Sequence, residues 1–309
     1  MGATASGKTE AALGLARLLD GEVISADSRQ VYKRLTAGTA KPDGTWRGEG
    51  AARAYLVEGV PYHLVDFLDP KSSYDAASFA ADANRLIEEI KARGKVPIIT
   101  GGTGMYVQAL WSGLDPLPPA DPAVRAELTA FAEREGRPAL HAQLTALDPE
   151  AAARIPVNNI QRVIRALEVI RISGRRISEL WTGRFHQALP THLARFIIIS
   201  WPKKDLLERV RARTLANFVR WEAETRALLD EGYPEDCPAL KSLGYPQMID
   251  YIRGADSQAA TAEKIVRVTM SYAKRQATWF GRYRNALRVE ASSPDDLLPG
   301  KLIKTAEAA

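Results

Sequence analysis

Cysteine is nearly absent. The single one among 309 residues, Cys237, excludes an intramolecular disulfide framework and any cysteine-based zinc site, and it fits a reducing compartment. Long apolar runs are missing too. The longest clear one, Phe196–Trp201, has strand length, against the roughly 20 residues of a membrane-spanning helix. No secretory leader pattern stands at the start, where Lys8 and Glu10 interrupt at once, so a cytoplasmic protein with no membrane association is expected. A large excess of one charge is also lacking: 42 basic against 37 acidic residues leave +5. Apolar residues make up 46% and charged ones 26%, which excludes a disordered, collagenous or low-complexity chain. The length suggests about two domains.

The modest charge is unevenly spread. Residues 1–110 carry 13 basic and 13 acidic groups, 111–193 carry 10 and 9, and 194–309 carry 19 and 15. Within the last part, 264–289 holds Lys264, Arg267, Lys274, Arg275, Arg282, Arg284 and Arg288 and no acid. A basic stripe of this kind suits an anionic partner.

The first 110 residues alternate helix and strand patterns: a helix over Lys8–Leu19, a strand over Glu22–Ser25, a second β-prone run at Tyr62–Phe67, a helix from a Ser73 or Asp75 cap to Arg93, and a strand over Val96–Thr100. Such alternation argues for a parallel sheet. The segment 112–122 has four prolines and reads as a linker. Helical patterns follow at Ala123–Glu135, Pro138–Leu147 and Asn159–Ser173. A strand over Arg195–Ser200 then returns, and helices over Lys203–Glu231 and Ala259–Leu287 close the chain. The expected architecture is α/β, with a P-loop NTPase-like parallel sheet core, an inserted all-helical domain and a helical C-terminal region. The core would comprise 1–112 plus 190–309 and the insert 113–189.

Gly2-Ala3-Thr4-Ala5-Ser6-Gly7-Lys8-Thr9 matches G-x-x-x-x-G-K-[ST] in full. Backbone N–H groups, the Lys8 charge and the following helix N-terminus suit a polyphosphate, and Thr9 is placed to hold Mg²⁺. A strand should lead into such a loop, yet only Met1 precedes Gly2. Either the start is internal to a longer chain, the favoured reading, or the sheet lacks its central strand. Asp27 stands where the second strand ends, the ligand side of an open α/β sheet. It suits a general base or a helix N-cap equally well. Val96–Thr100 ends without an acid, in Gly101-Gly102-Thr103-Gly104, which counts against a motor-type ATPase and leaves a tight turn or a substrate-contacting turn.

These and further motifs, GATASGKT (Gly2–Thr9), DSRQVY (Asp27–Tyr32), GTAKP (Gly38–Pro42), HLVD (His63–Asp66), GGTGMY (Gly101–Tyr106), Leu117–Pro119, QRVIRALE (Gln161–Glu168), GYPQ (Gly244–Gln247) and KRQATW (Lys274–Trp279), span nearly the whole chain. In this order they resemble the bacterial tRNA dimethylallyltransferases, with Ala3 a departure where the family more often has Pro. The resemblance implies transfer of a dimethylallyl group from dimethylallyl diphosphate to N6 of the adenosine 3′ of a tRNA anticodon, with diphosphate released. It implies Asp27 as base, Lys8 and Thr9 on diphosphate and Mg²⁺, and Thr103 against substrate. It places tRNA contacts at Asp27, Ser28, Arg29, Gln30, Thr103, Arg125, Gln161, Arg162, Val163, Ile164, Arg165, Lys241, Gly244, Tyr245, Gln247, Lys274, Arg275, Gln276 and Trp279. The helical insert would then clasp the anticodon stem-loop, and a monomer is expected.

The residues agree with this chemistry. A phosphate loop stabilises a departing diphosphate, and a base helps a weakly nucleophilic adenine amine. A target base must be flipped out of its loop, which calls for cationic and flat surfaces such as Arg282, Tyr283 and Arg284 beside Trp279. His63 and Asp66 suggest a catalytic pair, but their spacing of three on a strand points them to different faces, so structural hydrogen bonding is expected. Cys237 reads as incidental, and Trp46 and Trp111 as packing residues. A small-molecule P-loop kinase would explain the loop and Asp27 but not the basic helix. A prenyltransferase of free adenine nucleotides would need less RNA-binding surface.

Overall fold

The computed structural model describes residues 1–50, 53–183 and 189–307. It has a mixed α/β fold with a parallel-rich sheet and many helices, in two compact units: Met1–Trp111 with Ala188–Ala309, and Ser112–Gln187.

In the first unit a loop at 2–7 opens α1 (Lys8–Leu18), which leads to β1 (Gly21–Ser25). Every residue of β1 is buried, as expected of a parallel strand covered on both faces. The chain then extends through β2 (Thr45–Arg47), β3 (Ala54–Val57) and β4 (Val60–His63), α2 (Ala76–Ala92), β5 (Val96–Thr100) and α3 (Gly104–Ser112). The sheet order is β2-β3-β4-β1-β5. β1 is parallel to β4 and β5, with Val23 opposite Ile98 and Ser25 opposite Thr100. β3 is antiparallel to both β2 and β4, an arm that the alternation rule did not foresee. Its β3–β4 turn is Glu58-Gly59, both at positive φ (49° and 82°), the geometry that matches strand twist in a two-residue hairpin. The expected strand over Tyr62–Phe67 stops at His63. Leu64 and Asp66 take φ of 56° and 54°, which breaks the extended run. α2 starts where Asp75 accepts the Ser78 amide at 2.8 Å.

The C-terminal part contributes β6 (Ile197–Ser200), with the long α9 (Lys203–Asp230) next in sequence. α10 (Tyr245–Ile252) follows, unforeseen because its sequence is short and Pro-containing. α11 (Gln258–Phe280) ends seven residues before the expected Leu287. β7 (Leu287–Glu290) pairs parallel with β6 from Ile197–Leu287 to Ser200–Glu290. The alternating Leu287 and Val289 have strand period, and the ladder to β6 overrides the helical pattern. α12 is Pro299–Glu307. Met1 and Gly2 lie beside β6, where the Ile199 amide donates to the Met1 carbonyl at 2.9 Å and Gly2 forms an isolated bridge. Phe218, Trp221 and Leu228 of α9, Tyr245, Met248 and Ile249 of α10, and Ile265 of α11 share one core with Val31, Tyr32 and Leu35. That core docks the segment after β1 onto the C-terminal helices.

The second unit is helical among its described residues: α4 (Pro122–Glu135), α5 (Arg137–Leu147), α6 (Pro149–Arg154), α7 (Ile160–Ser173) and the short α8 (Ile177–Leu180). Leu128, Leu140, Leu144, Val163 and Leu167 are fully or almost fully buried at its centre. α6 exists because Asp148 caps it, accepting the Ala151 amide at 3.0 Å and the Ser178 amide and hydroxyl at 3.0 and 2.8 Å. Among the described residues no helix is long and apolar enough to cross a membrane.

Candidate active site

The loop before α1 is tightly curled. Ala5 and Gly7 hold φ of 61° and 83°, values that ordinary residues adopt only under constraint. That constraint comes from the C-terminal helices. Gln276 of α11 accepts the Thr4 amide at 2.8 Å and donates to the Gly102 carbonyl at 2.8 Å. From α9, Arg209 donates to the Ala5 carbonyl at 2.8 Å and Arg213 to the Thr4 hydroxyl at 3.1 Å. Trp201 donates to the Ser6 carbonyl at 3.0 Å and carries the Arg209 guanidinium over its ring. Lys8 donates to the Ala3 carbonyl at 2.5 Å. Burial, opposed by Asp27 and reinforced by Arg213, pulls the Lys8 ammonium down to about 8. Burial likewise lowers Arg213.

Asp27 lines the same cavity of about 620 Å³ as this loop. One of its oxygens, Oδ1, accepts the Arg29 amide at 2.8 Å and the Gln30 amide at 3.3 Å. The carboxylate thus caps its own turn through one oxygen. Of the two roles that the sequence left open, general base or helix N-cap, the second is not what the structure shows: no helix directly follows Asp27, and its carboxylate caps a turn instead. The turn is pinned to β5's exit: the Ser28 amide donates to the Thr103 hydroxyl at 3.0 Å, and the Thr103 amide to the Ala26 carbonyl at 3.1 Å. A Cβ at Gly101 would collide with the Ala26 backbone, which explains a glycine there. Tyr272 of α11 faces the same place, and burial beside Asp27 pushes its hydroxyl up to about 12. The cavity is also lined by Thr9, Leu13, Tyr62, Asn217, Trp221 and Leu243. Lys8, Thr9, Asp27 and Arg213 therefore converge on one space.

The IPP transferase family model matches residues 30–284. The chain belongs to the IPP transferase family. It is 46% identical over 292 residues to a tRNA dimethylallyltransferase of Elusimicrobium minutum, covering 94% of this chain and 93% of that one. A tRNA dimethylallyltransferase of Stenotrophomonas maltophilia is 44% identical over 289 residues, covering 90% and 87%. The crystal structure of a tRNA isopentenylpyrophosphate transferase from Bacillus halodurans superposes with a TM-score of 0.64 at 34% identity, covering 99% and 96%. A eukaryotic dimethylallyltransferase acting on tRNA shares the fold, with a TM-score of 0.74 at 23% identity, over 98% of this chain and 76% of that one.

The other residues singled out in this IPP transferase sequence fall into distinct settings. Gln30 is buried, its amide engaged by the Ser25 hydroxyl at 3.1 Å and the Ala40 carbonyl at 3.0 Å. Arg29 donates to the Pro238 carbonyl at 3.2 Å. Gln276 is buried in its clamp and Tyr245 is fully buried in the core, so neither presents a side-chain surface. Gly244 is buried too, while Lys241 is exposed and Gln247 partly so. Lys274 and Arg275 are exposed on α11 with Trp279 half-buried, and Arg282 lies over the Trp279 ring at 4.6 Å. In the helical unit Gln161 and Arg162 are exposed and Ile164 partly buried. Val163 is fully buried, because it sits on the apolar face of α7. Arg125 and Arg165 both pair with the fully buried Glu168, at 2.9 and 2.5 Å.

His63 and Asp66 do not pair. His63 meets Glu22 at 2.6 Å, with Arg93 on the same carboxylate at 2.8 Å. Asp66 accepts from Lys41 at 2.5 Å and from the Trp46 indole at 3.1 Å. Arg209, Arg213, Asn217 and Tyr272 were missed by sequence reasoning. The two arginines sit in an ordinary amphipathic charge pattern on α9, and nothing local separates them from solvated residues. The one available signal was their i, i+4 spacing, which puts both on the same helix face.

Proposed function

We propose that the protein transfers a dimethylallyl group from dimethylallyl diphosphate to N6 of the adenosine 3′ of a tRNA anticodon, within a P-loop NTPase-like core carrying an inserted helical domain. The observation that carries this reading is one cavity lined both by the phosphate loop and by Asp27. The C1–O bond of the diphosphate ester breaks as the adenine nitrogen bonds to C1. The departing diphosphate takes the electron pair, and Asp27 receives the N6 proton. The loop amides, Lys8 and Arg213 stabilise the charge that gathers on the leaving group.

No cluster of three or more His, Cys, Asp or Glu able to hold a metal exists among the described residues. That suits Mg²⁺, which keeps several waters and relies on substrate phosphates rather than an all-protein cage. Thr9, a hydroxyl lining the cavity, would hold it, and bound there it would neutralise diphosphate charge. The exposed Lys274 and Arg275 of α11, the partly exposed Trp279, and Gln161 and Arg162 of the helical unit are the proposed grip on the anticodon stem-loop. The buried members of those motifs would support the grip from beneath.

Incubation with labelled dimethylallyl diphosphate and either tRNA or AMP tests the reading. Label in tRNA is the expected result. Label in AMP alone, or phosphate transfer from ATP, overturns it in favour of a nucleotide prenyltransferase or a kinase.

A further inference from the structure

One half-buried carboxylate near the cavity touches neither the phosphate loop nor Asp27, yet it is unusually well held. Glu224 of α9 accepts three consecutive main-chain amides. The Thr36 and Ala37 amides donate to Oε2 at 2.8 and 2.9 Å, and the Gly38 amide donates to Oε1 at 2.9 Å. The Tyr245 hydroxyl of α10 donates to Oε1 at 2.5 Å. A run of amides converging in this way is an anion-binding concavity, and here the chain fills it with its own side chain. Gly38 completes the fit: a Cβ there would collide with the Trp221 and Tyr245 rings.

The segment so held is a cavity wall, since Ala37, Gly38, Thr39 and Ala40 all line the cavity. Its far end is coupled to the proposed base. The Ala40 carbonyl accepts from the Gln30 side-chain Nε2 at 3.0 Å, and the Gln30 main-chain amide donates to Asp27 at 3.3 Å. Gln30 has no slack, because the Ser25 hydroxyl engages its other amide atom at 3.1 Å. The phosphate loop is braced separately, by Gln276, Arg209 and Arg213.

We infer that Glu224 is a positioning residue for the transfer reaction: it fixes the 36–40 wall and, through Ala40 and Gln30, the turn that carries Asp27. This rests on the proposed prenyl transfer. In Glu224→Gln one of the two oxygens becomes an NH2 group, so either the Gly38 amide or the Thr36 and Ala37 amides face a donor in place of their acceptor, and the wall must shift to rehydrate them. A displacement of about 1 Å at a reacting group costs on the order of 10²-fold in rate. The phosphate loop, held elsewhere, keeps its place.

The test compares parent protein and Glu224→Gln, in single-turnover transfer at saturating tRNA, in inorganic diphosphate affinity and in thermal unfolding. The expected result is a rate lowered about 10- to 100-fold, with diphosphate affinity held within about twofold and a cooperative unfolding transition retained. An unchanged rate, or rate and diphosphate affinity falling together, overturns the inference. If Glu224→Gln does not fold, Tyr245→Phe decides, since it removes a single donor. A rate lowered about threefold or more with affinity kept supports the inference, and an unchanged rate overturns it. A parent protein that transfers no label to tRNA condemns the functional reading instead, so the two failures are distinguishable.

Discussion

Each unit contains a glutamate held by several donors, and the donors differ. Glu168, in the helical unit, is fully buried and takes two guanidiniums, Arg125 and Arg165, with the Asp121 amide at 2.7 Å. Glu224, in the α/β unit, takes three main-chain amides and a phenol, with no arginine among its bonds. The first consumes basic side chains to tie the start of α4 to α7. The second leaves the basic side chains of α9 available: Arg209 and Arg213 brace the loop before α1 instead. The availability of an arginine for a nucleic acid or a diphosphate therefore depends on which acid has claimed it, which a charge count does not reveal.

The largest effect expected lies on the chemical side of this comparison. Asp27→Asn keeps the size of the side chain and its cap to the Arg29 amide while removing the proposed base. Turnover should fall about 10²- to 10⁴-fold, with tRNA binding unchanged in a filter or fluorescence assay. Near-parental turnover would mean that the cap is the only role of Asp27.

Next in size is the structural side. Glu168→Ala leaves two guanidiniums and an amide without their shared acceptor. Breaking a buried pair typically costs about 3–5 kcal/mol, and the lower figure applies because Arg125 is half exposed. Denaturant unfolding should register the loss, which should track pH in the parent. Burial pushes the Glu168 carboxyl up, but Arg165, Arg125 and the Asp121 amide outweigh it and hold the group below its ordinary range. A depressed carboxylate stabilises the fold above its unfolded pKa. Its contribution disappears as pH falls below about 4.3 and through the folded value. Glu168→Ala should lack that acid-side slope. If its stability matches the parent's at neutral pH, the contrast between the two glutamates fails.

These two residues also mark what the sequence makes legible. That the 2–9 loop and Asp27 belong to one site was readable because their signals are local: eight consecutive residues make the loop, the end of a buried strand marks the acid, and both line the cavity. The helices of the second unit were readable from apolar periodicity. Residues whose roles depend on distant partners were hidden. Arg213 acts on Thr4 across 209 positions, and Glu224 meets residues 36–38 across nearly as many. Gln276 resembled a member of a basic surface run, yet it is a buried clamp between two glycine-rich turns. β7 was absorbed into a helix because its partner, β6, lies almost ninety residues away. Periodicity and motif spacing carry no information about such pairings.

A pH effect on ligand binding comes third. With Lys8 at about 8 in the free protein, diphosphate binding favours the ammonium. Below pH 8 that charge is already in place, and Lys8 adds no pH dependence of its own. Above pH 8 binding must also take up a proton, so affinity should fall up to tenfold per unit. Calorimetry in buffers of different ionisation heat would register the proton uptake. Lys8→Arg should move the fall well beyond pH 9. A parent profile that stays flat to pH 10 would mean that burial does not depress Lys8.

The smallest effect divides the arginines of α7. Arg162 is exposed in its first turn, whereas Arg165 is half-buried, pairs with Glu168 and donates to the Pro118 carbonyl at 2.5 Å. If Arg162 neutralises one phosphate, Arg162→Ala should lower tRNA affinity severalfold and reduce the slope of log affinity against log salt by about one. Unfolding should stay unchanged. Arg165→Ala should do the reverse, losing stability while leaving most of the salt slope. Should both variants change the salt slope equally, the pairing to Glu168 would not withhold Arg165 from RNA. A buried acid would then be sharing its arginine with the ligand rather than claiming it.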